Sequence, residues 1–385
     1  MRNEEIIYLD HAAATPMDER VLRAMQPFFS ELFYNPSSPY APAVEVRRKY
    51  DEAKHSLAKS IGGKPGEIII TAGATESINL AFGNINGHVI APSIEHLAVL
   101  ANVRLHDHTI INSDERGFVT VDLVNMAMKP ETTLISVALA NNELGTIQPI
   151  REIAELVKSE RESRLMHDNH TPIYLHCDAS QGVGQLDVNV ARLGVDMLTL
   201  NAGKIYGPKQ VGLLWAASHV RLKPQIVGGG QERGLRSGTE NVTGAIGFAC
   251  ALELAVEHRK YESDRLMKLR DGLQKTLVES FPEAVISGHL KHRLAGHLHI
   301  SFPGLDAERL IFLLENRGVM VATGSACAAN KGTRSHVLTA IGLDDNVADG
   351  SIRITLGHLS NDDNIKRAGE IICEEIVHEY ERVKR

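Results

Sequence analysis

The sequence predicts an α/β protein with a large, mostly parallel-sheet domain and a smaller α+β domain. Three observations carry that expectation. From about residue 67 to residue 200, short β-like runs alternate with helical patterns, as in parallel sheets flanked by helices on both faces. A long helical pattern then fills Glu240 to Phe281. Beyond it, fewer and shorter strands sit between helices. The chain has 385 residues, 43% of them hydrophobic, enough for a sizeable core and about two to three domains. No repeat or low-complexity segment interrupts it.

Taken in order, the expected strands of the large sheet are "EIIIT" (67–71), "HVIAP" (88–92), "TLISVAL" (133–139), "IYLHCD" (173–178) and "VDMLTL" (195–200). Each is a short apolar run suited to burial on both faces. Helical patterns at 76–83, 94–104, 150–159 and 187–193 alternate with them. The pattern over 240–281 is expected to break near Gly244 and Gly247, because glycine weakens a helix interior. The second domain has strands at "HLHISF" (297–302) and "SIRITL" (351–356), with helices at 306–317 and 363–383. The boundaries read as 16–250 for the large domain, and 1–15 plus 251–385 for the small one. The N-terminal arm joins the small domain or the site.

Composition excludes several function classes. The formal net charge is -7 and no block of five or six basic residues occurs, which argues against direct nucleic-acid binding. The first residues lack the apolar core of a signal peptide, and no run of about 18 apolar residues suggests a membrane span. Four scattered cysteines (Cys177, Cys250, Cys327, Cys373) offer no disulfide framework or closed zinc site, and no metal is expected. A cytoplasmic, reducing setting fits, and it leaves a lone exposed cysteine as a free thiol.

Parallel sheets bind ligands beyond the carboxyl ends of their strands, and here those ends carry polar groups. Lys204 follows the apolar run ending at Leu200 and precedes a Gly207-Pro208 turn. Most lysines in such places snorkel to water. Asp178 ends the preceding strand, one strand–helix–strand step earlier. A lysine that forms a Schiff base and an aspartate that keeps a ring nitrogen protonated are what pyridoxal phosphate needs. Taken singly, Asp178 reads as well as a turn residue. "TAGATESINL" opens a helix with Thr75 in its first turn, where free N–H groups suit a phosphate, though N-capping explains Thr75 equally well. His96 follows a third strand. "GGGQERGLRSGTE" gathers Arg233, Arg236, Ser237 and Thr239 in an anion-friendly loop. "TGSACAANKGTRS" surrounds Cys327 with small and polar residues, so its thiol should be accessible, with Lys331 and Arg334 as nearby cations. Arg353, inside a strand pattern, calls for a carboxylate if it points inward.

The ordered set "YLDHAAATP", "NPSS", "GATES", "NNELGTIQP", "DASQ", "KIYGPK", "RSGTEN", "GSAC" and "SIRITLG" resembles the cysteine desulfurases, a branch of the class V aminotransferase-like, fold-type I pyridoxal phosphate enzymes. The resemblance runs nearly end to end. It implies that Lys204 forms the Schiff base and moves the Cα proton, Asp178 pairs with the pyridine nitrogen and Gln181 bonds the phenolic oxygen. It implies that His96 stacks on the ring. Thr75 would bind the phosphate, joined by Thr239 of the partner subunit in a homodimer. Asn142 and Arg353 would hold the carboxylate of L-cysteine. Cys327, on a loop similar to that of the long-loop branch, would take the sulfur as a persulfide and pass it to an iron–sulfur scaffold or a tRNA-thiolation relay. The sequence departs from the family where Asn201-Ala202-Gly203-Lys204 replaces Ser-x-His-Lys, which leaves Asn201 as the side chain able to reach the phosphate there. Selenocysteine lyase and a non-catalytic scaffold of the same fold remain alternatives.

Overall fold

The computed structural model describes residues 6–324 and 334–384. Strand β1 (Ile7–Tyr8) is followed by the seven strands of the large sheet: β2 (Ile68–Thr71), β3 (His88–Pro92), β4 (His108–Ile111), β5 (Thr132–Ala138), β6 (Tyr174–Asp178), β7 (Met197–Asn201) and β8 (Gly212–Ala216). Their order is β2-β8-β7-β6-β5-β3-β4. All the pairings are parallel except those of β8, which runs antiparallel to both β2 and β7. The inner strands read as apolar runs because both of their faces are covered. Ile68, Val89, Leu134, Leu175 and Leu198 are all fully buried.

The sequence pattern missed two of these strands. β8 is a buried "GLLWA" run, too short for periodicity to separate strand from helix. β4, at the sheet edge, is half-buried and begins with a histidine and a threonine. The other expected strands agree to within one or two residues at each end.

The long helical pattern is one unbroken helix, Val242–Ser280. The expected break at Gly244 and Gly247 does not occur. Glycine costs a helix interior about 1 kcal/mol, but here it permits close packing. A side chain at position 247 would collide with Met25, and one at 244 with Val211 and Asn241. The N-terminal half of this helix packs into the core under the large sheet through Ala245, Phe248 and Leu252. Its C-terminal half packs into a second core through Leu266, Leu269, Leu273 and Leu277. The helix Ala41–Ile61 lies along it, burying Val46, Tyr50, Ala53, Leu57 and Ile61 at helical spacing and ending in a left-handed Gly62.

The second core carries β9 (Val285–Ser287), β10 (His297–Ser301), β11 (Val319–Met320) and β12 (Ser351–Thr355). β12, β10 and β9 form an antiparallel sheet, and β1 pairs in parallel with β11. The N-terminal arm therefore does both things the sequence suggested. Ile7 and Leu9 enter the second core, while Ala12 and Ala13 reach the cavity described next. Among the described residues, no helix is long and apolar enough to cross a membrane.

Candidate active site

The carboxyl ends of β5, β6 and β7 converge on a cavity of about 280 Å³, closed on its other sides by the arm, the start of the helix Ala74–Phe82, and β12. Thr75, His96, Asp178 and Lys204 line it. So do Asn142, Gln181, Asn201 and Arg353. Eight residues drawn from distant parts of the sequence thus meet in one place.

Lys204 reaches this place by local geometry. β7 is buried through Leu200. Asn201 then accepts a hydrogen bond from the Gly203 N–H at 3.0 Å and caps a single 3-10 turn, Ala202–Lys204. That turn lifts the lysine off the sheet. Its ammonium donates to the carbonyls of Ala12 and Ala13, both at 2.7 Å. Asp178, the last residue of β6, sits in register between Ala138 and Thr199 and accepts from the Ser180 N–H at 3.0 Å. Gln181 donates to the Ala12 carbonyl at 3.1 Å. Thr75 lies in the first turn of its helix and lines the cavity with Ala74, and the first turn of a helix leaves N–H groups without intrahelical partners.

His96 caps the helix Leu97–Val103, its Nδ1 accepting from the Ala98 N–H at 3.1 Å. The ring is open to solvent through the cavity mouth. The protein packed around it still lowers its pKa, because burial penalises the charged ring; Lys204 and His336 add to this, and Asp178 opposes it. Arg353 is 3% exposed and points inward. It donates to Asp10 Oδ1 at 2.7 Å and to the Asn142 carbonyl at 3.2 Å, while its Nε has no partner among the described residues. A buried guanidinium with an uncommitted edge is suited to a substrate carboxylate.

One expectation falls outside this cavity. Thr239 is exposed and does not line it. Cys327 and Lys331 lie outside the described residues. Arg334, offered as a cation for the thiol, is instead held by Asp345 at 2.7 Å and Asp349 at 2.6 Å. Arg236 of the glycine-rich loop pairs with Glu76 at 3.0 Å, which ties that loop to the helix bearing Thr75.

Sequence reasoning missed three residues here. Glu95 is 3% exposed, accepts from the Ala138 N–H at 2.8 Å, and has its pKa pushed up to about 8 by burial. Glu143 is fully buried, bonded by the Ser335 hydroxyl, and also shifted upward by burial. His336 lines the cavity and hydrogen-bonds the Glu95 carbonyl at 2.9 Å. The signals were present: Glu95 adjoins His96, and Glu143 lies within "NNELGT".

An amine, a carboxylate at the neighbouring strand end and a helix N-terminus around one cavity form a donor set that fits pyridoxal phosphate. The carboxylate matches a protonated ring nitrogen and the helix end matches a phosphate.

Known proteins resemble this chain over most of its length. Residues 7–368 match the family model described as aminotransferase class-V. Cysteine desulfurase IscS 1 of Archaeoglobus fulgidus is 37% identical over 377 residues, 95% of each chain. Cysteine desulfurase IscS of Dictyoglomus turgidum is 40% identical over 363 residues, 91% of this chain and 89% of the relative. A solved NifS-like protein superposes with a TM-score of 0.86 at 33% identity, covering 97% of this chain and all of that one. SspA, solved in complex with cysteine, gives 0.76 at 34% identity over 91% of this chain and 98% of its own. The chain belongs to the aminotransferase class-V family. Within that family its place is among the cysteine desulfurases, which have the fold-type I architecture.

Proposed function

We propose that this chain removes sulfur from L-cysteine, holding it as a persulfide on Cys327 and releasing L-alanine, with pyridoxal phosphate as cofactor. The observation that carries the reading is the placement of Lys204, Asp178, His96 and the buried Arg353 around a single cavity.

When bound, the cofactor supplies an electron sink for charge developing at the substrate Cα. Lys204 provides the amine that holds it covalently and then carries the Cα proton. Asp178 keeps the ring nitrogen protonated, Gln181 bonds the phenolic oxygen, and Thr75 with Asn201 receives the phosphate. His96 covers the ring face. Arg353 and Asn142 anchor the substrate carboxylate and so fix its sulfur. The balance is a transfer of one sulfur atom: the Cys327 thiol and L-cysteine become the Cys327 persulfide and L-alanine. The attacking group is the thiolate.

The working unit is a homodimer in which the partner's Thr239 completes the phosphate site. Its exposure on this chain, outside this chain's own cavity, supports that reading. The persulfide sulfur passes to an acceptor protein such as an iron–sulfur scaffold or a tRNA-thiolation relay, in a cytoplasmic setting where thiols stay reduced.

The test is stoichiometry. Purified protein given L-cysteine and a thiol reductant should release alanine and sulfide one to one. Cys327→Ala should keep the cofactor and its yellow colour and form no alanine. Normal desulfuration by Cys327→Ala would overturn the nucleophile assignment, and a protein that stays colourless with added pyridoxal phosphate would overturn the cofactor.

A further inference from the structure

The cavity holds two imidazoles, and their hydrogen bonds give them opposite chemistry. His96 Nδ1 accepts from the Ala98 backbone N–H at 3.1 Å. That nitrogen therefore carries a lone pair, and the neutral ring bears its proton on Nε2. In its capped state His96 can offer a proton but has no free lone pair to take one. His336 is the converse. Its Nε2 lies 2.9 Å from the Glu95 carbonyl oxygen, which can only accept. Nε2 therefore carries the proton, and the neutral ring keeps its lone pair on Nδ1. No described residue donates to that Nδ1. The ring also lines the cavity.

Its position is fixed from both sides. Ser335 caps the helix His336–Ala340 and bonds the buried Glu143 carboxyl. Glu95, which holds the ring through its backbone, is itself locked by the Ala138 N–H. The titratable and charged groups around it are known. His96, which itself feels Asp178 and Lys204, interacts with His336. Glu143, which also feels Arg353, interacts with it as well. His336 thus lines the same cavity as Arg353, the group that anchors the substrate carboxylate, and Lys204.

We propose that His336 is the base that receives the α-ammonium proton of the incoming amino acid. The step balances simply. The ammonium loses one proton to Nδ1 and becomes the free amine, and the neutral imidazole becomes an imidazolium. No electron pair leaves the substrate, and the proton passes to solvent through the open cavity mouth. The free amine is the nucleophile that would displace Lys204 from its covalent link to the cofactor. His96, with its outward N–H, serves the later, proton-donating part of the reaction. This assignment rests on the cofactor and site reading above.

The test uses the holoenzyme and a substrate without a thiol. L-Alanine mixed rapidly with the protein should change the visible spectrum of the cofactor. For the wild type, the rate of that change should fall tenfold per pH unit along an acid limb. His336→Gln keeps a donor for the Glu95 carbonyl but has no basic nitrogen. Its rate at pH 8 should drop about a hundredfold, the lower end of general-base contributions, and its acid limb should disappear. In His336→Ala, added imidazole should restore both rate and limb, which a structural role would not allow. An unchanged pH profile in His336→Gln, with cofactor still bound, would overturn the proposal while leaving the site reading standing. A limb that depends on His336 only with L-cysteine, and not with L-alanine, would also overturn it, since the proton would then come from the thiol. A wild type showing no spectral response at any pH would overturn the site reading itself.

Discussion

Replacing Glu95 by glutamine should stabilise this protein increasingly as pH rises. Glu95 is 3% exposed, and burial raises its pKa from 4.5 to about 8. One carboxyl oxygen is satisfied by the Ala138 N–H at 2.8 Å, and the other has no partner among the described residues. The folded carboxyl therefore holds a proton at neutral pH that the unfolded chain releases. Below pH 4.5 both states are protonated and no penalty exists. Between 4.5 and 8 the folded state binds the extra proton, so stability falls as pH rises. Each pH unit costs about 1.4 kcal/mol, and the loss at pH 7 is about 3 kcal/mol. Glutamine retains the acceptor for Ala138 and carries no proton to lose. Its extra N–H group, left unpaired, costs about 1–3 kcal/mol at every pH. The stability of Glu95→Gln relative to wild type should therefore climb by about 1.4 kcal/mol per unit between about pH 5 and pH 7.5. Urea unfolding at a series of pH values, followed by the fluorescence of Trp215, measures it. A difference that stays flat across that range would mean that Glu95 is an ordinary ionised carboxylate, and the argument would fail.

Other consequences are as direct. Lys204→Ala should lose its colour on gel filtration, and borohydride should fix label in the wild type but not in the variant; retained, reducible label in Lys204→Ala would place the covalent link elsewhere. Arg353→Lys removes a planar fork but keeps the charge beside Asp10. Its KM for L-cysteine should rise about 10- to 100-fold, as for a charged hydrogen bond worth about 1.5–3 kcal/mol, and an unchanged KM would remove Arg353 from substrate binding. Gly203→His should slow cofactor loss on dilution. The nearest atom to a Cβ there is Asn201 Oδ1 at 3.4 Å, an ordinary contact, so the imidazole has room to begin; an unaltered off-rate would mean that the phosphate is held without help from this position.

How much of this was legible in the sequence depends on the kind of signal. Lys204 and Asp178 could be read because each ends an apolar run, and a parallel sheet brings successive strand ends to one edge. Arg353 could be flagged because a guanidinium interrupts a strand of isoleucines. β8 could not be separated because a five-residue buried run lacks periodicity. The continuity of the helix Val242–Ser280 was hidden because intrinsic propensity counts glycine as a cost, whereas Met25 and Val211 make it a packing requirement. His336 was invisible for another reason. The neighbouring signals pointed to the thiol of Cys327 and not to this ring, and only the fold brings the ring to the Glu95 carbonyl.

The same fold explains why this region tolerates what a purely stabilising design would remove. Glu95 Oε2, Glu143 Oε1, Arg353 Nε and both ring nitrogens of His299 are buried without partners among the described residues. His299 lies directly opposite Arg353 across the β10–β12 pair, and burial holds its pKa down at about 3. A neutral ring is what that position requires, since a cation there would repel the guanidinium. Each such group costs about 1–3 kcal/mol in lost hydration, and apolar residues of similar shape would remove that cost. Part of this cost falls elsewhere, as at Arg293 and Ser287, and part falls on the walls that hold Arg353, His96 and His336 in place. The protonated Glu95 carboxyl and the His96 and His299 rings, kept neutral by burial, add little charge there, which leaves Lys204, Asp178 and Arg353 to act on an amino acid. Stability is given up where the electrostatics of the reaction must be set in advance.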